Sequence, residues 1–155
     1  MKSLLYPFAF LASLWTKRKE KYISDNGRSL NMYEIQIAKR LKIQNVTKIK
    51  ILSVARITHP LSGTFSFLKL LTRAVISEPI GLTLGYSILI QKSNSYKVEL
   101  IAHELVHIKQ YEEKGSHVHF LKEYISQCIK YGYNNCPIEI EAHNISQSFL
   151  KDKMV

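Results

Sequence analysis

The sequence predicts a single domain of the α+β class, because helical and strand-like hydrophobic patterns both occur along it. Apolar residues spaced three and four apart indicate amphipathic helices, whereas alternation indicates half-buried strands. The clearest helical pattern covers residues 98–114, and strand-like runs cover residues 47–58 and 82–91. The chain has 155 residues, 46% of them hydrophobic and 22% charged, which suits one sizeable core and argues against wholesale disorder.

The first predicted element is an apolar helix over residues 3–15. This run is shorter than the roughly 20 residues needed to cross a bilayer. The basic cluster at 17–21 follows it directly, which is unlike a secretory signal. We therefore expect a cytoplasmic protein whose N-terminal arm, residues 1–23, either packs on the domain or makes peripheral contact with a membrane surface. Turn-forming residues at 24–27 are expected to separate the arm from the body.

The central part of the chain reads as a helix followed by strands. A helix is predicted over residues 30–41 and a strand over residues 47–58. A loop is expected at 59–63, and residues 65–76 are apolar enough for the core but fit a helix and a strand equally well. A further strand is predicted over residues 82–91, directly before the clearest helix.

The helix over residues 98–114 is predicted from its apolar stripe and its end signals. Asn94 or Ser95 is expected to cap its start, and Gly115 to end it. The stripe consists of Val98, Ile101, Ala102, Leu105 and Ile108.

Residues 103–107 of this helix read His-Glu-Leu-Val-His. Side chains four residues apart lie on the same helix face, so His103 and His107 can bind one Zn²⁺ ion at about 2.0–2.1 Å. Glu104 is then placed to take a proton from a zinc-bound water whose pKa the ion has lowered to about 7. The alternative is a pair of ordinary core or surface histidines. The helical setting favours the metal site.

A hydrolytic zinc site usually takes a third protein ligand. Downstream, a helix is predicted to end at Gly132, and another to begin at Pro137, a residue suited to a first helical turn. Glu139 and Glu141 in that last helix are both candidate ligands, and helical periodicity does not choose between them. They could instead be two solvated carboxylates near a helix N-terminus.

Other polar residues near the motif have two interpretations each. Gln110 lies on the ligand face, where its amide could orient a ligand or a substrate carbonyl. Alternatively, it is simply a polar residue at the helix surface. Tyr131 and Tyr133 could donate a hydrogen bond from their phenol groups to a developing oxyanion, or they could serve only in packing. His117 and His119 are expected to be exposed or capping residues rather than ligands.

The net charge is +10, mainly from lysine, with 17 Lys and 5 Arg. Apart from the cluster at 17–21 the charges are scattered, and no run interleaves basic and aromatic residues. We therefore expect a solvated lysine-rich surface with weak, salt-sensitive attraction to anionic polymers or lipids, and no specific nucleic acid partner. Cys128 and Cys136 are too few for a disulfide scaffold and are expected to be reduced thiols.

Several segments together form a wider pattern. They are residues 81–85, 88–90, 103–112, 120–121 and 132–133, and the Pro-x-Glu-x-Glu-Ala run at 137–142. With these segments, residues 78–150 resemble small bacterial zincin domains of uncharacterised function, related to the gluzincin metallopeptidases.

In that family two histidines of an HExxH motif and a later glutamate bind zinc. Several gluzincin branches take the third ligand from a Glu three residues before an Ala, so the resemblance implies Glu139. Some of them carry a supporting Asp where this chain has His143. Glu141, Gln110 and His143 therefore stay candidates for supporting the site or, for Glu141, for replacing Glu139.

The predicted architecture is accordingly a zincin-like α+β domain over residues 1–155, with a small sheet packed on the HExxH helix and C-terminal helices supplying the third ligand. The predicted function is zinc-dependent hydrolysis of peptide bonds in a peptide or protein substrate, with one Zn²⁺ ion, Glu104 as catalytic residue, and His103, His107 and Glu139 as ligands. The alternative is a non-catalytic or degenerate zincin module that binds a partner through its basic surface.

Overall fold

The computed structural model describes residues 2–57 and 79–151. Within these ranges the chain forms five helices and one four-stranded mixed sheet, which confirms the predicted α+β class. The helices are α1 (Lys2–Asn26), α2 (Met32–Arg40), α3 (Val98–Lys114), α4 (His117–Tyr131) and α5 (Pro137–Lys151). The strands are β1 (Arg28–Ser29), β2 (Lys50–Val54), β3 (Gly81–Leu84) and β4 (Ser87–Gln91).

The sheet has the strand order β1-β2-β4-β3. Its central pair, β2 and β4, is parallel, with Ile51 opposite Ile88. Both outer strands are antiparallel to their neighbours, and Thr83 of β3 lies opposite Ile88. Since side chains alternate along a strand, each strand sends one set of residues to each face of the sheet.

The two faces of the sheet bury different helices. One face packs on α3, and the core there also takes in α2 and α5; it is built around Ile51, Ile88, Ile90, Leu105 and Ile108. The opposite face packs on α1, through Leu52, Leu82, Leu84, Leu89 and Ile23. The sheet therefore lies between α1 and α3.

Helix α3 has the predicted bounds, residues 98–114. Gly115 ends it in the left-handed conformation, with φ +73°, where a glycine carries no Cβ penalty. The predicted N-cap was wrong. Lys97 occupies that position without a side-chain hydrogen bond, because Asn94 lies in a preceding single 3₁₀ turn, Lys92–Asn94, and Ser95 follows that turn.

The single strand predicted over residues 82–91 was also wrong, because these residues form the β3–β4 hairpin. The chain reverses at Gly85, whose φ of +62° favours glycine. A Cβ at Gly85 would also lie 2.8 Å from Nε2 of His117 and collide with the Glu20 carboxylate. The turn was missed because it carries one glycine within an otherwise apolar run.

Helix α1 is longer than predicted. It continues through Ser24 and Asp25, where a turn was expected, and ends before Gly27, whose N–H donates to the carbonyl of Ile23 at 2.7 Å. The strand predicted over residues 47–58 is shortened to β2, since Val46–Lys48 form a 3₁₀ turn.

Helices α2, α4 and α5 agree with the helices predicted for those segments. A capping box formed by Asn31 and Glu34 starts α2. Ser116 caps α4, and Gly132 follows its last residue. Pro137 opens α5, as expected for a first helical turn.

Two further predictions concern His117 and the two cysteines. His117, expected to be exposed or capping, is buried at the start of α4, where its Nε2 lies 3.1 Å from Oε2 of Glu20. The thiols of Cys128 and Cys136 are free, and their sulfur atoms lie 3.7 Å apart in a buried contact.

The predicted loop at 59–63 and the ambiguous segment at 65–76 lie outside the described residues. No helix in residues 2–57 and 79–151 combines the length and apolar character needed to cross a membrane.

Candidate metal centre

Helices α3 and α5 bring three potential metal ligands together. His103 and His107 project from one face of α3, with their Nε2 atoms 3.0 Å apart. Glu139, in the first turn of α5, places Oε2 at 3.3 Å from Nε2 of His103 and at 3.6 Å from Nε2 of His107. The site is therefore assembled by packing α5 against α3.

These three separations can be compared with the geometry of a zinc site. A tetrahedral ion with ligands at about 2.0–2.1 Å holds its donor atoms about 3.3 Å from one another. The observed separations of 3.0, 3.3 and 3.6 Å lie on both sides of that value. The cluster of His103, His107 and Glu139 can therefore hold a metal ion.

Gln110 determines which ring nitrogen of His107 carries the proton. Its Nε2 donates to the carbonyl of Ile138 at 3.0 Å and to Oε2 of Glu141 at 2.9 Å. The amide oxygen must then accept from Nδ1–H of His107, which lies 2.8 Å away. With the proton on Nδ1, Nε2 keeps a lone pair for a metal, an orienting contact typical of metal-binding histidines.

Glu139 is held by Tyr124 as well as by the histidines. The phenol of Tyr124 donates to Oε1 of Glu139 at 2.7 Å, which leaves Oε2 directed at the imidazoles. Burial acts to raise the pKa of Glu139, but its contacts with the imidazoles of His103 and His107 and the hydrogen bond from Tyr124 outweigh it and hold that pKa well below its usual range. Glu139 is therefore a carboxylate at neutral pH.

Glu104 lies beside the cluster in a buried position, 4% exposed. Thr83 donates to its Oε2 at 2.6 Å, and Gly81 packs against the same carboxylate, which leaves no space for a Cβ. Burial raises the pKa of Glu104, although the charges of His107 and His103 and the Thr83 hydrogen bond oppose that rise. This carboxylate has few protein donors and is able to accept a proton.

The remaining candidate residues differ in their exposure and in their contacts with the cluster. Tyr133 is 40% exposed, and its pKa is raised by partial burial of the phenol and then by the charges of Glu139 and Glu104. Tyr131 is exposed. Glu141 is exposed and bonded to Gln110 rather than facing the imidazoles, and His143 is exposed one turn beyond Glu139.

Sequence reasoning missed three residues that hold the site: Gly81, Thr83 and Tyr124. Gly81 and Thr83 alternate along β3 and share the face toward Glu104, a signal visible only once the strand is known to lie against α3. Tyr124 belongs to α4, and nothing in its local sequence distinguishes it from a packing residue.

Comparisons with protein-family models, with curated proteins and with solved structures find no match for this chain.

Proposed function

We propose that this protein is a zinc-dependent metallopeptidase with a zincin-like fold. His103, His107 and Glu139 would hold the ion, and Glu104 would act as general base and then general acid. The observation that carries the proposal is that three donor atoms from two helices converge at zinc-like separations of 3.0–3.6 Å, with a separate buried carboxylate beside them.

A bound zinc ion would polarise the scissile carbonyl and acidify a water molecule, two contributions typical of hydrolytic zinc. Glu104 would take one proton from the attacking water as the water oxygen forms a bond to the carbonyl carbon. It would then pass this proton to the leaving nitrogen as the C–N bond breaks, giving a free carboxyl end and an amine. The Thr83 hydroxyl, which donates to Glu104 at 2.6 Å, would keep this carboxylate oriented through both transfers.

The substrate class follows from the strand next to the site. Within the described residues β3 pairs only with β4, so its outer edge offers unpaired main-chain groups to an extended peptide. Gly81 and Thr83 on this strand contact Glu104, so a peptide added to the edge would run past the metal centre.

The test compares Glu139→Ala with Glu141→Ala in the full chain. We expect the wild-type protein to bind about one zinc ion and to cleave an unstructured protein such as casein in a zinc-dependent manner. Glu139→Ala should lose at least about a hundredfold in zinc affinity, more than a supporting residue costs. Glu141→Ala, a carboxylate two residues away on the same helix, should keep zinc and activity.

Two results would contradict the proposal. One is zinc binding that survives Glu139→Ala but not Glu141→Ala, which would mean that Glu141 and not Glu139 is the third ligand. The other is a wild-type protein that binds zinc and cleaves no peptide across a broad substrate set, which would favour a non-catalytic module.

A further inference from the structure

The outer face of α1 exposes apolar side chains. Ala9, Ser13, Thr16 and Ile23 lie on the inner face and are buried. The side chains of Phe10, Leu11 and Leu14 are 49%, 54% and 44% exposed on the other side of the helix. Single exposed apolar residues are ordinary, but three adjoining ones on one helix form a patch of the kind that marks an interaction surface.

This patch continues into a basic region on the same helix face. Phe10, Leu14, Lys17 and Lys21 are spaced by four, three and four residues, which keeps them in one stripe along α1. The first half of the stripe is therefore apolar, and the second half is positively charged.

The basic half of the stripe borders an open hollow of about 440 Å³, where Lys48 and Lys50 join Lys17 and Lys21. Two acidic residues also line the hollow, Glu20 and Asp25.

Both acids have partners. The Glu20 carboxylate accepts from the Tyr86 N–H at 2.8 Å and lies 3.1 Å from His117 Nε2. Asp25 pairs with Lys21 at 3.4 Å.

The lysines of the hollow differ in their contacts. Lys50 donates to the Ser29 hydroxyl at 2.8 Å. Lys48 lies over the Tyr86 ring at 5.5 Å, and both Lys48 and Lys17 are exposed. The hollow therefore carries a net positive charge with ammonium groups available to an anion.

We propose that this face of α1 docks on the surface of a membrane containing anionic phospholipids. Such a surface offers the two chemistries that the stripe presents, because its acyl boundary accepts apolar side chains and its headgroups carry negative charge. Phe10, Leu11 and Leu14 enter the acyl boundary, and the lysines of the hollow contact headgroup phosphates. A soluble polyanion would satisfy the lysines only and would leave the apolar patch in water.

The docking face and the metal centre are on opposite sides of the sheet. Helix α1 packs on the face built by Leu82, Leu84 and Leu89, whereas α3 packs on the other. A docked molecule keeps its metal centre away from the bilayer, so the inference does not rest on the proposed peptidase activity.

The test is vesicle co-sedimentation of the full chain at low salt. Vesicles of phosphatidylcholine with about one-third phosphatidylserine should bind the protein, and pure phosphatidylcholine vesicles should bind it far less. Lys17→Glu/Lys48→Glu should weaken binding by at least about 25-fold, since each lysine near such a surface contributes about fivefold. Lys39→Glu/Lys92→Glu, which changes net charge equally at exposed sites outside the hollow, should bind nearly as well as wild type.

A second variant tests the apolar half. Phe10→Gln/Leu14→Gln should also lose vesicle binding, by roughly tenfold or more, while zinc content and circular dichroism stay unchanged. The proposal is overturned if this variant binds like wild type, because the surface would then recognise charge alone. It is equally overturned if inorganic phosphate or a single-stranded RNA displaces the protein from vesicles at concentrations that leave the bulk ionic strength unchanged.

Discussion

Glu104 and Glu112 lie two turns apart on α3, and their surroundings are opposite. Glu104 is buried, Thr83 is its one side-chain donor among residues 2–57 and 79–151, and burial raises its pKa. Glu112 is only partly buried, yet it accepts from the main-chain N–H groups of Gln44 and Asn45 and from the phenol of Tyr86 at 2.9–3.2 Å. For Glu112, burial acts to raise the pKa, but these hydrogen bonds outweigh it and lower that pKa.

The difference separates two uses of a carboxylate on one helix. A carboxylate whose lone pairs are filled by protein donors joins elements together, and Glu112 joins α3 to the segment after α2 and to the hairpin. A buried carboxylate with few donors costs stability and keeps the capacity to take a proton. Glu104 belongs to the second kind, and its neighbours are the three candidate metal ligands.

The substitution with the largest expected effect is Glu104→Gln, which tests whether Glu104 accepts the proton. The amide keeps the shape of the side chain but cannot accept the proton, so we expect peptide hydrolysis to fall by about 10²–10⁴-fold. Zinc content should stay close to wild type, because Glu104 is not among the three converging donors, and the melting temperature should not fall, because the amide removes a buried charge. Measured cleavage rates, with zinc determined by elemental analysis, check this. Retained cleavage would show that Glu104 is not the base.

A subtler test displaces Glu104 without changing it. A Cβ at position 81 would collide with Oε1 of Glu104 and lie 2.9 Å from its carboxyl carbon, so Gly81→Ala must shift the carboxylate. A misplacement of about 1 Å commonly costs about a hundredfold in rate, and we expect that loss with zinc retained. Gly115→Ala is the control, since its Cβ would meet nothing within 4 Å. That variant should lose a little stability, because φ is +73°, and keep full activity.

The ligands can be tested in the same way as the base. Gln110→Ala removes the acceptor that holds Nδ1–H of His107 and leaves that buried group without its bond. We expect zinc affinity, measured by competition with a chromophoric chelator, to fall about 10- to 100-fold. Gln127→Ala is a useful comparison because Gln127, on α4, accepts from the Ile138 N–H and contacts none of the candidate ligands directly within the described residues. An equal loss in both variants would mean that Gln110 acts only through packing.

The helices were predictable because their signals are local. The stripe and the glycine that define α3 lie within the helix or next to it, and the structure has the predicted bounds. The β3–β4 turn was not predictable in the same way. Gly85 is the one glycine in this turn, and it is needed both for its positive φ and because a Cβ would meet Glu20 and His117, which are distant in sequence.

The residues of the candidate site also differ in whether their proximity follows from local sequence. His103 and His107 are related by helical spacing, so their proximity follows from sequence alone. The choice between Glu139 and Glu141 does not, because it depends on the angle at which α5 packs against α3. The structure turns Glu139 toward the imidazoles and Glu141 toward Gln110. Thr83 and Tyr124 reach the site from other elements for the same tertiary reason.

The smallest expected effect concerns Glu112, the structural member of the pair. Glu112→Gln replaces an acceptor oxygen with an NH₂ group that faces donors, so we expect a loss of about 1–2 kcal/mol in the free energy of unfolding, with peptide cleavage unchanged. Because the folded-state pKa of Glu112 is lowered, its stabilisation is complete above the unfolded pKa and disappears as pH falls through the folded pKa.

The difference between wild type and Glu112→Gln should therefore shrink in acid when urea unfolding is followed at several pH values. Glu113→Gln is the matched control. In the part of the chain that the structure describes, this exposed neighbour pairs with Lys109 on the same helix, and its loss should stay within about 0.5 kcal/mol. A difference that is constant across pH would mean that Glu112 acts through packing and not as a charge. The contrast with Glu104 would then rest on burial alone.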